Sequence, residues 1–347
     1  MTPRERWLSV LNRQKPDRIP MDYWGTEETT QLLVRHLGLN NRWQMFKKLH
    51  IDTLHRVEPD YIGPKIPRNH DVFGCTYRQA RYVQGVYKEC ISHPLASFQS
   101  VSEIEHNYTW PDPDWWDYSG LRRKVKGKEK FPLTGGAFEP FLIYKKLRGE
   151  EQAFIDLIKN PKIVHFCLDK LCSLGHMEFI RIYDQIGRQI QISFVSEDMG
   201  AQNGLMISVP HIRQFLLPHM KKIIDLAHQA NIFVFHHNDG SILKIVPDMI
   251  ALGIDILNPI QWRCAGMDRS LLKKRFGSHI VIHGGMDNQH TIPFGTAENV
   301  RAEVIENFNI LGKNGGYILA PCHNIQSNSP VENILTLYRT GYELGWN

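Results

Sequence analysis

From about residue 150 onward the chain repeats one pattern: a short apolar run, a polar cluster, then an amphipathic stretch. The apolar runs fall at residues 189–195, 231–235, 255–257, 279–282 and 316–319. The amphipathic stretches cover 151–183, 210–230, 242–252, 268–276, 296–311 and 330–344. Strands alternating with helices of this length predict a parallel sheet covered by helices. Each predicted strand ends in polar residues, where parallel α/β proteins place their chemistry. The N-terminal half offers three more candidate strands, at 18–23, 53–57 and 131–135. No GxGxxG follows a first strand, which removes the main reason to expect a dinucleotide-binding sheet. The expectation is an α/β (β/α)8 TIM barrel forming a single domain over 1–347. Residues 59–130, rich in Pro, Tyr, Trp and charge, form an N-terminal insertion of extra strands and loops decorating the barrel mouth.

Composition narrows the class further. A length of 347 residues suits one large barrel or two ordinary domains. Hydrophobic residues at 42% and charged residues at 22% are ordinary globular usage. The longest apolar runs, near 254–257 and 280–282, fall far short of the roughly 20 residues that span a bilayer. The first residues carry no signal-peptide core, so a cytoplasmic protein without membrane contact is expected. The net charge of +5 is too small, and the basic run at 122–128 too short, to predict nucleic-acid binding; that run reads as a solvated loop. Six scattered cysteines without a CxxC pair indicate reduced thiols.

The predicted strand ends carry the candidate site. His237 and Asp239 are two residues apart, so on extended backbone they face the same way. An imidazole and a carboxylate so placed are half of a metal site, or a pair of hydrogen-bonding pocket residues. Cys322 and His323, after the last strand, reach the same mouth, and either could supply a third ligand. The plainer role for Cys322 is a small buried side chain. Glu197 and Asp198 point in opposite directions; Asp198 is the one expected to face the pocket as a catalytic carboxylate, and Glu197 is counted with the substrate-binding residues. Asn258, Gln261, His283 and Asp287 end two further strands and are expected to bind substrate. The glycines beside His283 fit a structural turn equally well. Tyr23 and Trp24 would line the mouth with aromatic surface, suiting a small organic ligand.

Taken in order and spacing, these segments resemble the uroporphyrinogen decarboxylase superfamily, which includes zinc-dependent methyltransferases that move methyl groups between corrinoids and thiols. The resemblance spans nearly the whole chain and is clearest over 131–347. It rests on Gly135, Gly136 and Ala137 through Tyr144, on His236 through Gly240, on Gly253 through Pro259, on His283 through Asp287, and on Gly315 through Ile334. It implies a (β/α)8 barrel, in agreement with the strand count. Tyr144 and His323 fall where the decarboxylases keep a catalytic Tyr and His, and Asp60 could stand for their essential aspartate. The decarboxylases carry an arginine-rich segment after the first strand that clamps substrate carboxylates. Here residues 21–28 hold two glutamates and no arginine. That departure argues against a tetrapyrrole substrate with eight carboxylates.

The methyltransferase branch carries His-x-Cys-Gly where this chain has His237, Asn238, Asp239 and Gly240. The resemblance implies a divalent metal, zinc above all, on His237, Asp239 and His323, with Cys322 as an adjacent substitute. Nitrogen and oxygen ligands make the ion harder than thiolates would, suiting a methyl ether or hydroxyl. The expected activity is methyl transfer between a small organic substrate and a corrinoid supplied by a partner protein. The alternative is cofactor-free decarboxylation through Asp198, Tyr144 and His323. Trp110, Trp115 and Trp116 could touch such a partner or pack inside the insertion, and a homodimer stays open.

Overall fold

The computed structural model describes residues 1–82 and 85–346. Seven parallel strands form one sheet in chain order: β1 (His55–Arg56), β2 (Leu133–Phe138), β3 (Ile192–Val195), β4 (Phe233–His237), β5 (Ile256–Asn258), β6 (Val281–Met286) and β7 (Tyr317–Pro321). The first strand expected from sequence, 18–23, is not a regular strand. Met21 makes only an isolated parallel bridge to Leu319 of β7, and Gly25 one to Ile325. Those contacts still complete the circle. The Asp22 N–H donates to the Leu319 carbonyl at 2.9 Å, and the Asp52 N–H donates to the Met21 carbonyl at 2.6 Å, just ahead of β1. Residues 19–25 therefore fill the eighth staves' position between β7 and β1, and the fold is a TIM barrel. Its proline, Pro20, lacks the N–H a longer ladder would use.

The two barrel ends are built differently. Helix α1 (Pro3–Leu11) is started by a capping box, in which the Thr2 hydroxyl takes the Glu5 N–H and the Glu5 carboxylate takes the Thr2 N–H. Its apolar face closes the N-terminal end of the barrel. Trp7, Val10 and Leu11 pack on Ile192, Phe235, Ile256, Val281 and Ile318, one contribution from each of β3 to β7. Burying a side chain the size of Trp7 stabilises by roughly 3 kcal/mol. The opposite end, where the strands finish, is the mouth.

Between β1 and β2 lie the short pair Asp60–Tyr61 with Trp116–Asp117, the hairpin Thr76–Tyr82 with Gly85–Ser92, and the helix Val101–Asn107. Trp110 and Trp116 pack against the main apolar core, and Trp115 is half-buried, so packing is the role the structure gives these rings. The basic run is not a loop throughout: Leu121–Val125 is a helical turn that buries Leu121 and Val125 and pairs Lys124 with Asp60 at 2.6 Å. After β2 come α2 (Pro140–Arg148), the helix Glu150–Lys159 and α3 (Pro161–Ile186). The stretch expected to hold one or two helices at 210–230 is a π-helical segment, Ile212–Leu216, leading into Leu217–Gln229. Pro218 lacks the N–H that regular α-winding would use there. All six cysteines are free thiols. Among the described residues, no helix is long and apolar enough to cross a membrane.

Candidate functional site

Strand alternation sets the site. On β4, Phe235 and His237 point into the barrel, while His236 points outward and is fully buried. The ring of His236 bonds the Val195 carbonyl at 2.7 Å, and burial lowers its pKa to about 4. Beyond the strand, Asp239 continues the inward face. His237, Asp239 and His323 each offer a ligand atom, all within 4.8 Å of one another. His237 Nε2 lies 3.9 Å from Asp239 Oδ1, and His323 Nε2 lies 3.7 Å from Asp239 Oδ2. Zinc–ligand bonds of about 2.0–2.2 Å let a shared ion bridge such separations. Among the described residues, no lysine or arginine forms an ion pair with Asp239 or Asp198. Burial pushes the Asp239 carboxyl up, against the pull of His237 and His323.

The ligand atoms are held from behind. Asn258 Oδ1 faces His237 Nδ1 at 2.6 Å, leaving Nε2 free to face the cluster. Gln261 donates to Asp239 Oδ1 at 3.0 Å and accepts the Gly240 N–H at 2.6 Å. Such outer contacts fix ring orientation and strengthen ligands, so the donor set fits a divalent first-row metal. Asp198 accepts the Asp239 N–H at 3.1 Å and lies 3.8 Å from His237 Nε2. It is brought there by the small hairpin Gly200–Ala201 with Gly204–Leu205, which docks against Gly240. Gly240 has φ +83°, and a Cβ there would sit 2.6 Å from the Gly200 carbonyl carbon. Only glycine allows both the turn and that approach.

Two cavities flank the cluster. One, of about 360 Å³, runs from His237 across Trp24, Leu54 and Phe194 to Arg56 and Glu139. Trp24 stacks on His237 with ring centroids 5.3 Å apart. The other, of about 390 Å³, is reached by Asp239 and His323 and is lined by side-chain amides, among them Gln261, Asn288, Gln289 and Gln326.

Not every expected residue arrives. Cys322 is buried; its thiol donates to the Ile260 carbonyl at 3.0 Å, and burial pushes its pKa well up, so His323 rather than Cys322 completes the cluster. Tyr144 lies on α2, fully buried, with its hydroxyl on Asp156 at 2.5 Å beside Arg148. It is not in the mouth, because α2 turns that face onto the neighbouring helices. Glu197 is buried and accepts the Phe141 N–H at the start of α2, at 2.6 Å. Asp287 is buried in a turn, accepting the N–H groups of Gln289 and His290 and pairing with Arg263. Tyr23 spends its hydroxyl on Thr30 at 3.0 Å, although its residue borders the first cavity. His283 is wholly buried below the mouth, and Asp60 sits on the exposed pair with Lys124. Arg56 and Phe194 are overlooked in the sequence, and Asp22, in the loop expected to line the mouth, has no assigned role there. Asp22 carries the same signal as the others, a polar residue at a strand end, but its strand is the irregular one.

With this geometry in place, comparison with known proteins adds the following. Residues 118–344 match the family model described as uroporphyrinogen decarboxylase (URO-D). A uroporphyrinogen decarboxylase of Psychromonas ingrahamii is 27% identical over 225 residues, covering 61% of this chain and 58% of that protein. The match thus spans less than two thirds of that relative's length. One from Coxiella burnetii is 21% identical over 358 residues, covering 96% of this chain and 93% of that protein. Among solved structures, a methyltransferase from Methanosarcina mazei superposes with a TM-score of 0.68 at 17% identity, covering 99% of each chain. At that identity the likeness establishes the shared barrel.

Proposed function

The chain belongs to the uroporphyrinogen decarboxylase family, and from that premise we propose that it is a metal-dependent methyltransferase. It moves a methyl group between a small organic substrate and a corrinoid carried by a separate protein. The observation that carries this reading is the convergence of His237, Asp239 and His323 at the mouth, with Asn258 and Gln261 behind them. A divalent ion on these nitrogen and oxygen donors, zinc being the natural choice, supplies Lewis acidity toward a substrate oxygen. The chain's own residues do the rest. Trp24 and Phe194 give the first cavity apolar walls that orient an organic group and exclude water. When a methyl–oxygen bond breaks, the oxygen keeps the electron pair and needs a proton. Asp198, 3.8 Å from His237 Nε2 at the rim, is the carboxylate placed to orient the water that supplies it.

The second reading is decarboxylation of a carboxylated substrate, favoured by the names of the curated relatives. Two features weigh against it. Tyr144 is bonded away from the mouth, and among the described residues Arg56 is the one arginine lining the first cavity, already 2.6 Å from Glu58. Several guanidinium forks would be expected for a polycarboxylate.

Elemental analysis of the purified protein tests the choice. Wild type should hold about one zinc per chain, and His237→Ala should hold almost none, as loss of one of three protein ligands requires. Methyl transfer from a screened donor should stop on chelation. Protein that is metal-free and turns over a carboxylated substrate after chelation overturns the proposal in favour of the lyase.

A further inference from the structure

A continuous hydrogen-bonded chain runs beneath the cluster. Asp22 Oδ2 lies 3.0 Å from His283 Nε2. His283 Nδ1 lies 2.7 Å from Asn258 Nδ2, and Asn258 Oδ1 lies 2.6 Å from His237 Nδ1. Asp22, His283 and Asn258 are at most 1% exposed, so these contacts are shielded from bulk solvent. Asp22 has two further donors: the Tyr23 N–H on Oδ1 at 2.8 Å and the Trp24 indole N–H on Oδ2 at 3.0 Å.

We propose that Asp22 is a positioning residue that dictates, through His283 and Asn258, which ring nitrogen of His237 faces the cluster. The logic is directional. A carboxylate only accepts, so the proton on His283 must sit on Nε2. His283 Nδ1 is then an acceptor, and Asn258 must turn its NH₂ toward it. That leaves the Asn258 oxygen toward His237, which must carry its proton on Nδ1. The lone pair of Nε2 therefore faces Asp239 and His323. Reversed polarity anywhere in the chain would aim an N–H at the cluster instead. The same carboxylate fixes the Trp24 indole, whose ring stacks on His237, so one buried charge orients both the ligand and the wall beside it. This inference rests on the reading of His237 as a metal ligand, but the relay itself can be tested without metal.

The test uses full-length, metal-free protein with ¹⁵N-labelled histidine, and long-range ¹H–¹⁵N correlation of the imidazole rings. In wild type, His237 should be protonated on Nδ1 alone. In Asp22→Asn the amide NH₂ must oppose either the Tyr23 N–H or the donors from Trp24 and His283. The anchor is lost, and His237 should become a mixture of the two tautomers. Zn²⁺ titration should then show affinity about 10–100-fold weaker, the usual cost of a lost outer contact. The double variant Asp22→Asn/Asn258→Asp puts an obligate acceptor directly behind His237 and should restore both the tautomer and most of the affinity. A purely structural Asp22 predicts no such rescue. Wild-type His237 protonated on Nε2 overturns the relay, as does a folded Asp22→Asn protein with the wild-type tautomer. If wild type binds no Zn²⁺, the functional reading fails while the tautomer result still decides the relay.

Discussion

The two ends of the barrel use the same residue types to opposite purposes. At the closed end, Asp52 sits between Arg6 at 2.5 Å and Arg18 at 2.8 Å, and accepts the Met21 N–H at 3.1 Å. Trp7 donates its indole N–H to the Asp52 carbonyl and seals the interior. Each of these charges is met by an opposite charge. At the mouth, Asp239 and Asp198 face two imidazoles and, among the described residues, no guanidinium; the His323 side chain stays 40% exposed. The closed end is satisfied and therefore inert. The mouth is left with acceptor atoms converging on one point, which costs stability and creates a place for a cation.

The comparison makes graded predictions. The largest effect should come from Asp52→Ala, which leaves the buried Arg18 guanidinium without its carboxylate and Arg6 with Asp17 alone. Denaturant unfolding should show a loss of about 3–5 kcal/mol, with metal stoichiometry retained in the fraction that folds. Equal loss of metal and stability would mean the two ends are not separable. Tyr144→Phe removes a hydrogen bond to a charged, buried partner and should lower stability by about 1.5–3 kcal/mol. Turnover at saturating substrate should stay at the wild-type rate, because Tyr144 points away from the mouth; a collapse in turnover would restore it as a catalytic group. Gln261→Ala should do the reverse, weakening Zn²⁺ binding about 10–100-fold while the unfolding midpoint barely moves. The smallest effect belongs to Arg78→Ala, on the exposed hairpin pair with Glu89. Neither the unfolding midpoint nor metal content should change measurably, as for most exposed pairs.

The sequence announced the mouth better than it announced the frame. The two-residue spacing of His237 and Asp239 predicts their shared direction, and the structure has it. Asp198 and Glu197 diverge as adjacent residues do: Asp198 lies beside His237, and Glu197 is buried against the Phe141 N–H. The strand pattern alone leaves Cys322 and His323 open, since which neighbour faces the cavity depends on the exact end of β7; the family resemblance puts His323 in the third place, and His323 is the one that lies with His237 and Asp239. Tyr144 misled because a helix offers several faces, and only packing against Asp156 and Arg148 shows which one it occupies. Residues 18–23 have a strand's composition, yet they pair through isolated bridges; register there is decided by β7 and Asp52, both far away in sequence.

The helix that seals the closed end also governs how the chain can fold. Trp7 finds its pocket only when Ile318, some three hundred residues later, is in place beside it. This early helix is thus buried only once much later segments are in place. A growing chain carries that indole without its full pocket until β7 has been made, and closing so long a loop is slow relative to local contacts. Refolding should therefore show Trp7 burial as a late event, coincident with docking of the final strand, and intermediates that lack that strand should present a sticky N-terminal surface to chaperones and to each other.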